Sequence, residues 1–178
     1  MGKYIKHGII PLILLRLFRK GHAACEEKLM DEHIQVDGDI VDFQYPFYDH
    51  NLNGLTFWTQ KHNNYSTREA IDLLDIEYNL SGNLQEFKNI GAHTTAIQAK
   101  KKKYVRLPLF WRSFAFFCLR YFIRLGFLDG KEGFLWHFLQ GLWYRTLADA
   151  KVYEIKKACG NDKDKMREYI KEKYGYTL

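Results

Sequence analysis

The sequence predicts an α+β protein in which a short strand and hairpin region is followed by long amphipathic helices. Three observations lead to this fold class. The first forty residues contain a β-branched apolar run and an Asp-Gly turn signal, apolar residues recur at helical spacing after residue 105, and charge divides unevenly along the chain. The 178 residues are 47% hydrophobic, which suffices for one domain with a core and excludes a disordered chain.

The strand region comes first in the chain. Residues 9–20 are rich in isoleucine and leucine and predict a buried strand that ends near Gly21. Residues 34–43 alternate apolar and polar side chains on both sides of Asp37 and Gly38. Because glycine tolerates positive φ, an Asp-Gly pair between such runs predicts a β-hairpin turn.

Helix signals follow. Ser66 and Glu69 have the spacing of a capping box, Pro108 suits a first helical turn, and either Asn161 or Asp162 can cap the last helix. Glycines at 126 and 130 interrupt the apolar pattern between two helices, and Gly160 and Gly175 can end helices. The predicted helices span about 67–78, 108–125, 132–158 and a short final segment that ends near residue 174.

Charge separates the two halves of the chain. Residues 1–99 carry nine Lys/Arg against thirteen Asp/Glu, whereas residues 100–178 carry eighteen against eight. A basic half that is rich in aromatic residues indicates an anionic partner surface. We therefore predict three parts. They are a segment at 1–80 with an acidic loop and a hairpin, a polar and basic linker at 81–104, and an aromatic, basic helical region at 105–178.

The helix predicted after Pro108 carries an arginine stripe. Arg112, Arg120 and Arg124 fall within an arc of about 120° on a helix that turns about 100° per residue, and the remaining surface is aromatic and aliphatic. Each arginine at a bilayer centre would cost about 2.5–3.5 kcal/mol, so the pattern favours a helix lying in the membrane interface. The predicted membrane-binding residues are Trp111, Arg112, Arg120, Arg124, Trp136 and Trp143.

The same pattern allows two other interpretations of these helices. Both helices can instead be core helices of a soluble bundle, since amphipathic helices usually face a core. Nucleic-acid binding is less consistent with the sequence, because the aromatic residues sit at helical spacing among aliphatic ones and form no sheet platform for bases. The predicted partner is therefore an anionic membrane surface and not a nucleic acid.

The densest group of reactive side chains lies between Cys25 and His33. The adjacent carboxylates of Asp31 and Glu32 beside an imidazole can supply a general base and its orienting partner, although acidic loops are usually just solvated. No metal site is predicted. The Asp-Gly-Asp at 37–39 is better explained as a turn, and His22, Cys25 and His33 match no four-ligand zinc pattern. The three cysteines form no CxxC pair, which favours a reducing setting.

Several co-linear blocks resemble the distal part of inverting family-2 glycosyltransferases, which build lipopolysaccharide, capsule and exopolysaccharide. The resemblance covers most of residues 5–157 and is weakest at 81–104. It implies that the strand region is part of a GT-A-like domain. The blocks are Arg16–Gly21, Glu27, Met30–Ile34, Val36–Gly38, Gly54–Thr59, Lys61–Asn63, Tyr65–Ala70, Gly126–Gly133, Trp143–Arg145 and Asp149–Lys151.

This resemblance implies transfer of a sugar from a nucleotide sugar to a lipid-linked acceptor, with inversion. It places the base that deprotonates the acceptor hydroxyl at Asp31, with Glu32 close behind. His33 would orient that base or lie near a donor-phosphate metal ion. The implied location is peripheral, on the cytoplasmic face of the inner membrane.

The family's amino-terminal nucleotide-binding half, with its Asp-x-Asp metal site, has no counterpart in the sequence. Nucleotide sugar and a divalent metal (Mg or Mn) are implied for the complete enzyme, but none is expected to bind this chain alone. We therefore expect no transfer without a nucleotide-binding partner or self-association. The alternative is a non-catalytic peripheral membrane or scaffold protein.

Overall fold

In a computed structural model the chain is mostly helical and carries one small two-stranded antiparallel sheet. The structure describes residues 3–9, 13–25, 29–30, 33–45, 52–82 and 92–178. The predicted α+β class is confirmed at this level. The elements in chain order are β1 (Ala23–Cys25), β2 (Ile34–Val36), α1 (Leu55–Tyr78), α2 (Ala92–Val105), α3 (Trp111–Cys118), α4 (Gly130–Trp136), α5 (Tyr144–Cys159) and α6 (Lys163–Tyr174).

The hairpin differs from the predicted one. Strands β1 and β2 pair in antiparallel register, with Ala23 opposite Val36, so the acidic segment between them forms the connection. The predicted turn residues Asp37 and Gly38 instead follow β2, where the backbone N–H of Asp37 donates to the His22 carbonyl oxygen at 3.1 Å. The Asp-Gly prediction was wrong because the partner strand lies before the alternating run and not after it.

The strand predicted over residues 9–20 is not present where the structure describes that segment. Residues 13–20 adopt no regular structure, and Leu17 is 73% exposed. A strand requires a neighbour that accepts and donates its backbone hydrogen bonds. Within the described residues the only sheet is β1–β2, so this run has no such neighbour.

Helix α1 begins about twelve residues before the predicted start. Ser66 lies inside the helix, is fully buried and donates through Oγ to the Asn63 carbonyl oxygen at 2.7 Å, so it is not an N-cap. Trp58 stacks on His62 with ring centroids 3.6 Å apart and lies 6.2 Å from the ring of Trp143. These aromatic contacts stabilise the early turns, whose Asn- and His-rich sequence has weak helix propensity.

Residues 92–104 of the predicted linker belong to α2. Lys101, within the lysine run, contacts the carboxylates of Glu69 and Asp72 on α1 at 3.3 and 2.7 Å. Val105 at the end of α2 is buried in the core. The lysine run resembles a linker in sequence because its acidic partners lie about thirty residues away along the chain.

One core joins α1 with the carboxyl-terminal helices. Helices α1 and α5 pack along each other, and α6 closes the core at one end. The predicted boundary between 1–80 and 105–178 therefore does not separate two packed units in the described part of the chain. The core residues are Ala70, Ile71, Leu73, Leu74, Leu80, Val105, Val152, Ile155, Cys159, Met166 and Ile170.

The carboxyl-terminal helices end close to the predicted positions, but α3 begins at Trp111, so Pro108 precedes the helix and does not form its first turn. Helix α3 continues as a π-helical turn over Leu119–Ile123, and α4 joins α5 through another at His137–Trp143. Gly160 ends α5 with φ of +64°, and Gly175 ends α6 with φ of +74°. The side chain of Asp162 caps the start of α6 by accepting from the N–H groups of Asp164 and Lys165.

Candidate functional surface

The predicted catalytic residues lie in the connection between β1 and β2. Asp31 and Glu32 fall outside the described residues, so their role stays a prediction. His33 is half-buried and directly precedes β2. Within the described residues no three His, Cys, Asp or Glu side chains are grouped so that they could hold a metal ion.

Arg112 is buried and points into the protein. It is 4% exposed, and its Nε donates to Asp149 Oδ1 at 2.8 Å while Nη1 donates to the carbonyl oxygens of Tyr104 and Val105 at 3.3 and 3.2 Å. Its guanidinium also lies over the Tyr104 ring at 4.6 Å. This ion pair joins the end of α2, the start of α3 and the middle of α5.

Asp149 also organises the start of α3. Its Oδ2 accepts from the backbone N–H of Phe110 at 2.9 Å and from the Ser113 hydroxyl at 3.0 Å. Phe110 has φ of +67°, a conformation that is costly for a side chain of this size. The carboxylate holds the strained residue in place and satisfies a backbone donor at the helix start.

Arg120 is buried on the next part of the same stripe. Its Nε donates to the Gly8 carbonyl oxygen at 3.1 Å, and its guanidinium lies 5.5 Å from the centroid of the Phe116 ring. Burial, with the nearby charge of Arg145, lowers the pKa of Arg120 to about 10, so the group remains charged at neutral pH. Arg124 is exposed and donates to the Ile9 carbonyl oxygen at 3.2 Å.

Two of the three arginines in the stripe therefore point into the protein. The prediction that Arg112 and Arg120 contact lipid headgroups is corrected, because both guanidinium groups are enclosed by backbone carbonyls, aromatic rings and a carboxylate. Only Arg124 presents its charge at the surface. The side of α3 that faces outward is apolar: Trp111 is 70% exposed and Ile123 is 73% exposed. An ordinary surface helix turns its apolar side inward and its charged side outward, and helix α3 does the opposite.

Five aromatic rings form a continuous cluster on this outward side, which we call the aromatic patch: Tyr121, Phe122, Phe127, Phe134 and Phe138. The Tyr121 ring lies 5.1, 6.3 and 5.8 Å from the rings of Phe122, Phe127 and Phe134, and Phe138 stacks on Phe134 at 5.7 Å. All except Tyr121 are exposed. Exposed apolar clusters of this kind are typical of surfaces that bind a membrane or another protein.

A groove of about 550 Å³ runs into the aromatic patch. Tyr121, Phe127 and Phe134 line it, and the exposed Lys131 stands at its edge. With Arg124, this lysine places positive charge beside the apolar surface.

The three predicted membrane-binding tryptophans occupy different environments. Trp111 is prominently exposed and contacts Phe114 on α3, while Trp136 is exposed at the end of α4. Trp143 is half-buried and faces Trp58 on α1. Trp111 and Trp136 are thus available to a partner, whereas Trp143 mainly joins two helices.

An amino-terminal segment, residues 3–9, is held against the helical region by Asp129. The backbone N–H groups of Lys6 and His7 donate to Asp129 Oδ2 at 2.9 and 2.8 Å, and His7 Nδ1 lies 2.9 Å from Oδ1. Lys3 donates to the Asp129 carbonyl oxygen at 2.6 Å. Burial disfavours the ionised carboxylate, but the His7 and Lys6 hydrogen bonds outweigh it and lower the pKa of Asp129.

His137 fills the space beneath this segment. It is fully buried, and among the described residues neither ring nitrogen has a partner with hydrogen-bond geometry. A Cβ added at Gly8 or Gly126 would come within 2.5 or 2.4 Å of its ring, so both glycines are needed for the close approach. Burial and the charge of Arg120 lower the pKa of His137, which keeps the ring neutral.

Lys151 is a further polar residue that the sequence did not single out for a role. Its Nζ donates within 2.8–3.0 Å to oxygens of Asn63, Ser66 and Thr67 on α1. Burial lowers the pKa of Lys151 despite a small opposing effect of Glu154. Lys151 therefore links α5 to α1, and the oxygens that accept its hydrogen bonds belong to a backbone carbonyl, an amide and two hydroxyl groups. Its signal in the sequence was its place in the block at 149–151.

No helix in the described part of the chain combines the length and the apolarity required to cross a bilayer. Comparison of the chain with protein-family models, curated proteins and solved structures finds no match.

Proposed function

We propose that this protein is a peripheral membrane protein that acts as the acceptor-side, membrane-associating portion of a family-2-like glycosyltransferase in surface-polysaccharide assembly. The aromatic patch carries the membrane part of this proposal. The sugar-transfer part is supported by the sequence resemblance alone. In this proposal the protein binds the cytoplasmic face of the inner membrane and presents the connection between β1 and β2 to a lipid-linked acceptor.

The energy available from the aromatic patch is adequate for reversible membrane binding. Phe122 is 56% exposed, and Phe127 and Phe134 are exposed to a similar degree. An aromatic side chain buries about 150–250 Å² when covered, so transfer of the exposed half of one ring from water contributes about 2 kcal/mol at roughly 25 cal/mol per Å². Several rings acting together supply the affinity of an interfacial protein, and Arg124 and Lys131 add attraction to anionic lipid.

Vesicle flotation tests the membrane part. The double variant Phe122→Ser/Phe127→Ser changes exposed side chains and should leave the fold intact. We expect it to lose at least about tenfold in affinity for anionic vesicles, from the transfer energy above. The matched control is Phe57→Ser, which removes an equally exposed phenylalanine from α1. Equal binding by wild type and the double variant would overturn the membrane proposal.

A transfer assay tests the enzymatic part separately. Nucleotide sugars and polyprenyl-linked acceptors are incubated with the protein, with and without a candidate nucleotide-binding partner. We expect Asp31→Asn to abolish transfer, Glu32→Gln to reduce it, and both to bind vesicles like wild type, because a carboxylate must remove the acceptor proton. Turnover that is indifferent to both substitutions, or no turnover under any condition, favours the non-catalytic alternative.

A further inference from the structure

A cleft of about 690 Å³ lies where the carboxyl ends of α1 and α2 approach α5. Its polar lining is formed by Glu77, Lys102, Arg106 and Lys156, above apolar side chains that include Ile76 and Val105. The cleft does not share residues with the aromatic patch. The cleft is therefore a second surface feature, separate from the residues on which the membrane proposal depends.

The cleft has an excess of positive charge. Lys156 contacts both carboxylate oxygens of Glu77 at 2.7 Å, so these two charges neutralise each other. Lys102 and Arg106 are exposed, and within the described residues their side chains enter no ion pair or hydrogen bond. Two cations that line the same cleft, with no ion-pair partner in the described part of the chain, provide the charge that a phosphate group requires.

Carbonyl groups at a helix end would normally oppose an anion at this place. Here two carbonyls at the end of α2, those of Tyr104 and Val105, are already occupied by Nη1 of Arg112. The buried arginine thus satisfies two of the carbonyl groups at the end of α2 next to the cleft.

The apolar wall of the cleft continues onto the protein surface. Leu107 lines the cleft and is half-exposed. Phe110 follows it and contacts Tyr153 on α5 with ring centroids 6.2 Å apart, and both rings are exposed. A molecule with its phosphate at the two cations can therefore lay an attached apolar chain across Leu107 and Phe110.

We infer that this cleft binds the phosphate group of a membrane lipid, with Lys102 and Arg106 contacting the phosphate and the first part of the lipid chain lying on Leu107. This inference rests on the proposed membrane role and specifies a lipid-headgroup site within it. Because cationic side chains lie next to an apolar wall, the cleft matches a phosphate with an attached apolar chain better than a free phosphate compound.

The test uses a short-chain, monomeric lipid so that binding to the cleft is measured without a bilayer. In isothermal titration calorimetry we expect dihexanoyl phosphatidic acid to bind one-to-one. Lys102→Ala/Arg106→Ala should lower its affinity on the order of tenfold, since each cation near an anionic group contributes a several-fold gain. The charge-matched control is Lys163→Ala/Lys171→Ala on α6, which should change affinity less than about twofold.

A gain of function provides a further check. Glu77→Gln removes the carboxylate of the cleft and releases Lys156, so affinity for the same lipid should rise about threefold or more. Inorganic phosphate is titrated in parallel and should bind at least about tenfold more weakly, because it lacks the apolar chain.

Each contrary result has a distinct meaning. The cleft is excluded as a specific site if the control pair lowers affinity as much as the cleft pair, or if the cleft pair has no effect. Equal affinity for inorganic phosphate would overturn the lipid assignment. None of these outcomes bears on whether the aromatic patch mediates vesicle flotation, so failure here is distinguishable from failure of the membrane proposal.

Discussion

Replacement of Asp149 by asparagine removes one charge from the core and leaves Arg112 uncompensated. Both side chains are about 1% exposed, so water cannot replace the lost partner. Breaking a buried ion pair by removing one member typically costs about 3–5 kcal/mol. With a urea m-value near 2 kcal/mol/M, the unfolding midpoint of Asp149→Asn should fall by roughly 1.5–2.5 M.

The assay is urea unfolding followed by circular dichroism at neutral pH. Asp164→Asn is the control, because Asp164 pairs with Arg167 at 2.7 Å on the exposed surface of α6 and its loss should cost less than about 1 kcal/mol. The double variant Arg112→Met/Asp149→Asn removes both charges and keeps an acceptor for the Phe110 N–H, so it should recover about 1–2 kcal/mol relative to Asp149→Asn.

A cost below about 1 kcal/mol for Asp149→Asn would refute the reasoning. It would mean that Arg112 is free to leave the core, and that α3 can turn its arginines outward. The apolar side of α3 would then have no reason to face away from the protein.

Three further predictions concern packing, pH and capping. Gly126→Ala places a Cβ 2.4 Å from His137 Nε2 and should cost about 1–3 kcal/mol in urea unfolding, while Gly54→Ala, with open space around it, should cost less than about 1 kcal/mol. The urea midpoint should fall as pH drops from 7.5 to 5, because the pKa of His137 is below its ordinary 6.5 in the folded protein and the unfolded chain therefore binds the proton first. The pKa of Asp129 is also lowered in the folded protein, so a further loss of stability should follow at more acidic pH. A midpoint that stays constant or rises as the pH falls would contradict both expectations. Asp162→Ala should cost about 1 kcal/mol by removing the cap of α6, with no change in vesicle binding.

Local signals in the sequence predicted the carboxyl-terminal helices well. Asp162 caps α6, and Gly160 and Gly175 supply the positive φ at which two helices end. These features depend on a few neighbouring residues, so the sequence contains all the information that they need.

Features that depend on distant partners were not predictable in this way. The arginine stripe predicts lipid contacts only as long as its partners are unknown: Asp149 lies 37 residues from Arg112, and Gly8 lies 112 residues from Arg120. Helical spacing alone shows that arginines share a side of a helix, but not whether that side faces outward. The same limit applies to the early turns of α1, where contacts with Trp143 outweigh weak local propensity.

The candidate surface was predicted in part. The aromatic character of residues 105–138 was evident from composition, and the structure adds that rings around Tyr121 contact one another and remain exposed. The contact between Gly8 and His137 had no sequence signal, because the two residues lie far apart along the chain and meet only where residues 3–9 pack against the helical region.

Depth-dependent quenching of Trp111 tests the central claim most directly. In a variant that retains Trp111 and carries phenylalanine at the other three tryptophan positions, emission is recorded on anionic vesicles that contain brominated lipids. We predict a blue shift and strong quenching, and no quenching when the half-buried Trp58 is the retained residue. Vesicle-bound protein in which Trp111 is neither shifted nor quenched would contradict the account, since the exposed side of α3 would then not contact the membrane.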